Sequence, residues 1–217
     1  MRNALLFRLF RPVSAAIAGQ LSRPRGWFGR TVMTRLLNRG NRELIEATLD
    51  GLELAQGCRL LDVGFGGGLL LELAHRRGVR ELAGVDPSEA AVAFLRGHPG
   101  RLAGSELRLE PGVAAALPFE DASFDVVAST NTVYFWSDLA PAFSELRRVL
   151  RPGGVLTLGF SGAEKLRSFG TITRHGFRFH DDRELGAAAA GAGFADVRLV
   201  ELHGRVTEGD RVLRATA

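Results

Sequence analysis

The spacing of apolar residues changes character near residue 58. Before that point it is helical. Leu5, Leu6, Leu9 and Phe10 share one side of residues 3–10, with Arg8 and Arg11 opposite. Pro12 ends this segment or begins the next turn, and residues 13–21 read as a second helix. Pro24 and Gly26 mark a loop. Residues 28–38, with Val32, Leu36 and Leu37 apolar, form a third candidate. Gly40 stops it, and Asn41 caps a fourth helix running to about Leu52. The pattern predicts a helical arm over residues 1–40, acting as a lid, ahead of a domain spanning 41–217.

From Arg59 onward, short apolar strands alternate with helices. The expected order is strand Arg59–Val63, helix Leu69–Arg77, strand Glu81–Val85, helix Ser88–Arg96, strands Glu106–Glu110 and Phe124–Ser129, helix Leu139–Leu150 and strand Val155–Phe160. Helix Asp182–Ala190 and strands Asp196–Leu202 and Val206–Ala215 follow. Alternation of this kind implies an α/β fold with a doubly wound, mainly parallel sheet, here of seven strands. Only His203–Arg205 separate the last two strands. That is too little for a crossover helix, so the final strand should run antiparallel.

Charge divides the chain at a similar place. Residues 1–42 carry nine arginines and no acid, while the remainder carries 19 basic and 24 acidic residues. A basic arm on a mildly acidic body suits an anionic membrane, nucleic acid or an acidic partner. It equally suits a solvated helical face, or arginines that hold the arm against the body. The arm is also Arg-rich, Ser-containing and acid-free, like a mitochondrial presequence. Lys165 is the sole lysine against 27 arginines. That bias is familiar from GC-rich bacterial coding, so a cytoplasmic location is expected, with membrane association as an alternative. No apolar run is long enough to span a bilayer. The single cysteine, Cys58, excludes an internal disulfide and a cysteine-cluster metal site, and no metal-ligand spacing appears elsewhere.

The densest chemical signal is Leu60-Leu61-Asp62-Val63-Gly64-Phe65-Gly66-Gly67-Gly68, a buried strand running into glycines and then a helix. Glycines allow a sharp turn and close approach of a ligand to the backbone. The helix start offers free N–H groups. About twenty residues on, a second strand ends in Asp86, placed for a ribose diol. No Gly-Lys-Ser/Thr follows, which excludes a phosphate loop. The dinucleotide fingerprint fails at Leu69, where its third glycine belongs. Asp62 would repel a pyrophosphate, whereas it suits a cationic ligand with an amino group, as in S-adenosylmethionine.

These residues resemble the class I, Rossmann-type methyltransferases, particularly the ubiquinone/menaquinone-methyltransferase-like branch, over residues 40–215. Leu61–Gly68 is similar to the first motif and Gly84-Val85-Asp86-Pro87-Ser88 to the acidic end of the second strand. Leu117–Val127 resembles the approach to the fourth strand, and Leu146–Gly154 the helix and turn before the fifth. Ala192-Gly193-Phe194 resembles the turn before the sixth. The resemblance implies that Gly64, Phe65 and Gly66 lie along the methionine part, and that Asp62 orients its amino group. Asp86, with Pro87 beside it, would take the ribose. Val113, Ala114 and Leu117 would surround the adenine. Val113 stands where an acid is usual, leaving the Ala114 N–H and apolar packing.

The fourth strand ends at Ser129-Thr130-Asn131-Thr132-Val133-Tyr134-Phe135-Trp136, at the carboxyl edge where ligands bind in open α/β sheets. Asn131 is a candidate for the donor or the acceptor, Tyr134 for an acceptor oxygen, and Phe135 and Trp136 for an apolar wall. The aromatics equally suit the core beneath the next helix. Asn131-Thr-Val-Tyr134 resembles the Asn-Pro-Pro-Tyr loop of DNA amino-methylating enzymes but lacks both prolines, so nucleic acid is not the expected partner. His175 and His180 follow the fifth strand, and either is a candidate general base for a hydroxyl acceptor. Three readings remain at this level. The first is a methyltransferase for a small apolar or aromatic acceptor, the second a membrane-surface lipid or quinone methyltransferase, and the third a non-catalytic S-adenosylmethionine-binding regulator.

Overall fold

The computed structural model describes residues 41–55, 57–168, 178–204 and 206–217. The expected arm helices within 1–40, and with them the lid and membrane-contact expectations, lie outside the described residues, as does His175. Helix α1 spans 41–49, ending short of the expected Leu52. The elements after it are β1 (Arg59–Val63), α2 (Leu69–Arg76), β2 (Glu81–Asp86), α3 (Glu89–Gly97), β3 (Glu106–Pro111), β4 (Phe124–Thr130), α4 (Leu139–Val149) and β5 (Leu150–Ser161). Helices α5 (Ala163–Ser168) and α6 (Asp182–Gly191) precede β6 (Ala195–Glu201) and β7 (Asp210–Thr216).

The strands form one sheet in the order β3-β2-β1-β4-β5-β7-β6. β1 pairs in parallel with both β2 and β4, and β7 runs antiparallel to both β5 and β6. The chain builds outward from β1 to β3, then returns to the other side of β1 with β4. This reversal opens a crevice between the carboxyl ends of β1 and β4. β6 runs parallel to β5, because both oppose β7. Helix α6 therefore travels back along the sheet and starts at that same carboxyl edge.

Alternation along the strands sorts side chains into two cores. Leu61, Val63, Val85, Val127, Leu156 and Leu158 face α4 and α6, where Phe143 and Leu185 are fully buried. Leu60, Leu82, Leu109, Val126 and Ala128 face α1, α2 and α3. Period-2 alternation on a sheet covered on both faces puts apolar residues at consecutive positions, which explains the continuous apolar runs of the sequence. Helix α1 belongs to this body. A Cβ on Gly159 of β5 would lie 2.1 Å from Thr48 Oγ1, and Thr157 Oγ1 donates to Thr48 O at 2.8 Å.

Helix α5 was not expected, and two strand boundaries differ from the sequence expectation by four residues or more. β5 begins at Leu150, directly after α4, because the Pro-Gly-Gly stretch is itself paired. Gly153 N donates to Ala217 O, and Ala217 N donates to Gly154 O, both at 2.8 Å. β7 begins at Asp210 instead of Val206, since Thr207 O and Gly204 O accept turn hydrogen bonds from Asp210 N and Glu208 N. Cys58 sits buried ahead of β1, and burial lifts its thiol pKa to about 11, as befits an unreactive structural thiol.

Candidate functional site

The glycine turn forms where the sequence placed it. Gly64, Gly66 and Gly68 all take positive φ (82°, 50° and 77°), and Gly68 caps α2. Gly64 N donates to Val85 O at 2.7 Å, fixing the turn against β2. Thr132, on the loop after β4, fills the space over Gly64. A Cβ there would meet Thr132 Cγ2 at 2.3 Å. Ser129 Oγ bonds both Val63 O and Thr132 Oγ1, so the loops after β1 and β4 are tied together directly. Phe65 turns its ring away from the crevice and into the core against Gly84, so only its backbone is available to a ligand there.

Two carboxyls stand beside this turn. Asp62 is 2% exposed, and no described residue offers it a hydrogen bond or a countercharge. Burial, reinforced by the Asp86 carboxylate, holds its pKa well above the usual carboxylate range. A buried carboxyl without a partner is costly to the folded chain and marks a place where a cation would be welcome. Asp86 accepts from Gly66 N and Ser88 N, each at 2.8 Å. Burial raises its pKa too, and these two N–H donors partly offset the rise. Its carboxylate thus braces the glycine loop and still has lone pairs for a diol. Pro87 is exposed beside it.

The far wall comes from the segment after β3. Gly112 N donates to Asp86 O at 3.2 Å, which brings Val113 and Ala114 to the end of β2. Val113 is half exposed, whereas Ala114 and Leu117 are buried. Leu117 N is already bound, to Glu145 Oε2 at 2.8 Å. Arg148 holds the same stretch through Leu117 O, Phe119 O and Asp121, while pairing with Glu145. The Arg148 hydrogen bond, ahead of burial, keeps Glu145 below its ordinary pKa, so the pair stays ionic. Sequence reading noticed the Leu146–Gly154 stretch but not this clamp, since its partners lie about thirty residues away.

The segment 131–136 is a tight turn at the end of β4. Asn131 has φ 57°, a left-handed conformation that Asn tolerates better than most residues, and its N–H donates to Gly159 O at 2.8 Å. The Tyr134 hydroxyl donates to Asn131 Oδ1 at 2.9 Å and accepts from Ser161 N. The Asn131 amide keeps two N–H donors and one further Oδ1 lone pair. Tyr134 is itself buried, which raises its phenol pKa, so from here it orients Asn131. Ser161 Oγ continues the chain to Asp210 at 2.7 Å, and Asp210 pairs with Lys165 at 2.8 Å. Trp136 packs edge-on to Phe143 in the core, whereas Phe135 is 44% exposed.

His180 lies two residues before α6. The side chain is 10% exposed and its Nδ1 stands 3.2 Å from Glu184 Oε1. Its Nε2 is buried and has no hydrogen-bond partner among the described residues. Of the residues predicted from sequence, Asp62, Gly64, Gly66, Asp86, Ala114, Leu117, Asn131 and Tyr134 thus lie at or just after the carboxyl ends of β1, β2, β3 and β4. No cluster of metal-ligating side chains forms among the described residues.

Known proteins share the sequence pattern and the fold. Residues 61–158 match the Methyltransferase domain family. A methyltransferase of unassigned substrate from Bacillus subtilis, YdaC, is 28% identical over 164 residues, covering 72% of this chain and 82% of that protein. The demethylmenaquinone methyltransferase of Roseiflexus castenholzii is 36% identical over 127 residues, 58% of this chain and 50% of that protein. Against a malonyl-[acyl-carrier protein] O-methyltransferase from Geobacter sulfurreducens the identity is 33%, and the chain again spans less than two thirds of the relative's length, at 60%. In structure, geranyl diphosphate methyltransferase in complex with S-adenosylmethionine superposes with a TM-score of 0.69 at 20% identity, covering 93% of this chain and 94% of that one. With its seven-stranded sheet and antiparallel last strand, its glycine turn flanked by Asp62 and Asp86, and the methyltransferase domain matched over residues 61–158, this chain is similar to the S-adenosylmethionine-dependent methyltransferases.

Proposed function

We propose that the protein transfers the methyl group of S-adenosylmethionine to a small apolar or aromatic acceptor held between Asn131 and Phe135. The observation that carries the reading is Asp62, a buried carboxyl with no hydrogen bond or countercharge among the described residues, two residues before a glycine turn. An anionic dinucleotide would add like charge to it. An ammonium group would relieve it.

The residues present fit the donor. Asp62 would receive the amino group, and the Gly64–Gly66 backbone would lie along the methionine chain. Asp86 would accept from the ribose hydroxyls through its remaining lone pairs. Leu117 and the Ala114 N–H would border the adenine, with little help from the Val113 side chain. When bound, S-adenosylmethionine supplies a methyl group on a positively charged sulfur, already primed for displacement. The protein then has to align the acceptor and exclude water. The Asn131 amide can hold an acceptor oxygen, and Phe135 presents an apolar face beside it. The relatives named above act on dissimilar acceptors, so the quinone-like branch is kept only as a guide to fold and donor.

Calorimetry on the full chain tests the reading. S-adenosylhomocysteine should bind, and NAD should not compete. Tighter binding of the dinucleotide would sink the assignment. Formation of S-adenosylhomocysteine with a panel of small acceptors separates an enzyme from a silent binder.

A further inference from the structure

The loop between β3 and β4 is held at both ends. At its start, Gly112 N donates to Asp86 O at 3.2 Å, so it hangs from the residue whose carboxylate accepts from Gly66 N at 2.8 Å. At its far end it is held by Glu145 and Arg148, one turn apart on α4. Glu145 Oε2 accepts from Leu117 N and from Arg148 Nη2, each at 2.8 Å, while Oε1 accepts from Arg148 Nε at 2.7 Å. The other guanidinium hydrogens go to Leu117 O, Phe119 O and Asp121 Oδ1, at 3.1, 2.8 and 2.7 Å. A guanidinium has five N–H donors, and here all five find an acceptor. Ala122 N closes the loop on Arg148 O at 2.9 Å. Ala114 lies buried between the two moorings. An i, i+3 ion pair adds little to a helix by itself. Most of the bonds this pair makes leave the helix for a single loop.

We propose that Glu145 and Arg148 are positioning residues of the donor site, which hold the loop after β3 in its ligand-ready shape before S-adenosylmethionine arrives. The inference rests on the donor reading above, in which Ala114 and Leu117 border the adenine. A loop already ordered in the free protein loses little conformational freedom when a ligand settles on it. A loop that must first be gathered subtracts that loss from the affinity. Neither side chain touches the donor in this scheme, since both act through the backbone of residues 117–119. Glu145 has to be a carboxylate to accept from its three donors. In Glu145→Gln the new NH2 group would face either Leu117 N–H or Arg148 Nε–H, donor against donor. Arg148→Lys keeps the charge, but one ammonium cannot serve acceptors spread around a planar fork.

The test uses the full chain. Hydrogen exchange read by mass spectrometry follows peptides covering residues 112–122, with and without S-adenosylhomocysteine. The wild-type loop should be protected already in the free protein, and S-adenosylhomocysteine should add little. In Glu145→Gln and Arg148→Lys the free loop should lose protection, and S-adenosylhomocysteine should restore it. By calorimetry each variant should bind S-adenosylhomocysteine about 10-fold more weakly. 5′-Methylthioadenosine, which lacks the amino-acid end, should lose by the same factor. Asp62→Asn, acting at the amino group, should weaken S-adenosylhomocysteine and spare 5′-methylthioadenosine. The double variant at 145 and 148 should stay within about two-fold of the weaker single variant, because the two side chains act as one unit. A wild-type loop that exchanges freely until S-adenosylhomocysteine is added would overturn the proposal, whether or not the variants fold. So would variants that keep wild-type affinity, losses confined to S-adenosylhomocysteine, or losses that simply add in the double variant. A wild-type protein that binds no S-adenosylhomocysteine would instead defeat the donor reading.

Discussion

Asp62→Asn should make the empty protein more stable and the donor site worse. The two side chains have nearly the same shape, so the core around position 62 need not rearrange. What changes is a carboxyl that is 2% exposed, without a partner among the described residues, and set beside Asp86. Removing such an uncompensated buried charge is worth ~1–3 kcal/mol at neutral pH. For a chain of this size that raises Tm by about 2–10 °C. The gain has a defined pH window. The folded protein holds the Asp62 proton more tightly than the unfolded chain, whose carboxylate titrates near about pH 3.9. Wild-type stability therefore falls as pH climbs from that value through the raised folded pKa, and then levels off. The stability difference between variant and wild type should vanish near pH 4 and reach its full size above the folded pKa. A ligand ammonium reverses the order. Loss of a charge-assisted hydrogen bond costs ~1.5–3 kcal/mol, or about 10–100-fold in affinity for S-adenosylhomocysteine. Thermal melts at pH 4 and 7.5, each with and without S-adenosylhomocysteine, read all four quantities. A variant that melts lower than wild type at pH 7.5 without ligand, or that keeps wild-type affinity, would refute the reasoning.

Two further substitutions probe the loops that meet over the crevice. Gly64→Ala combines a φ of 82° with a Cβ 2.3 Å from Thr132 Cγ2, so it should destabilise by roughly 2–4 kcal/mol. The double variant Gly64→Ala/Thr132→Ala should recover the steric part and retain the backbone part, and a denaturant titration showing no recovery would disprove that division. Tyr134→Phe strands Asn131 Oδ1 and Ser161 N, and should cost ~1–3 kcal/mol of stability. Because the phenol is positioned to orient Asn131, the same variant should weaken acceptor binding more than donor binding. Equal losses on both sides, measured by calorimetry and steady-state kinetics, would contradict that role.

Much of this architecture is legible in the chain because it rests on local rules. The run Arg59–Val63 is bounded by turn residues, and Asp62, Gly64 and Asp86 are adjacent to strand ends that periodicity alone can find. The antiparallel β7 follows from a connection too short for a helix. What escaped depends on tertiary partners. Phe65 looks like part of the ligand loop until β2 is seen to present Gly84 beneath its ring. The start of β5 escaped because Pro152-Gly153-Gly154 reads as a turn, and only pairing with Ala217 draws it into the strand. Trp136 and Phe135 are neighbours with opposite fates, one against Phe143 and one half exposed, and no sequence period distinguishes them.

The clamp formed by Glu145 and Arg148 makes the loop after β3 a borrowed structure. Leu117 N, Leu117 O, Phe119 O and Asp121 are all gripped from α4, so the loop's shape is stored in a helix that follows it by almost thirty residues. The loop is therefore not a portable cassette. Transplanting residues 112–121 into another scaffold would carry the words without the grammar, unless the acid and the arginine, three residues apart on the host helix, travelled with them.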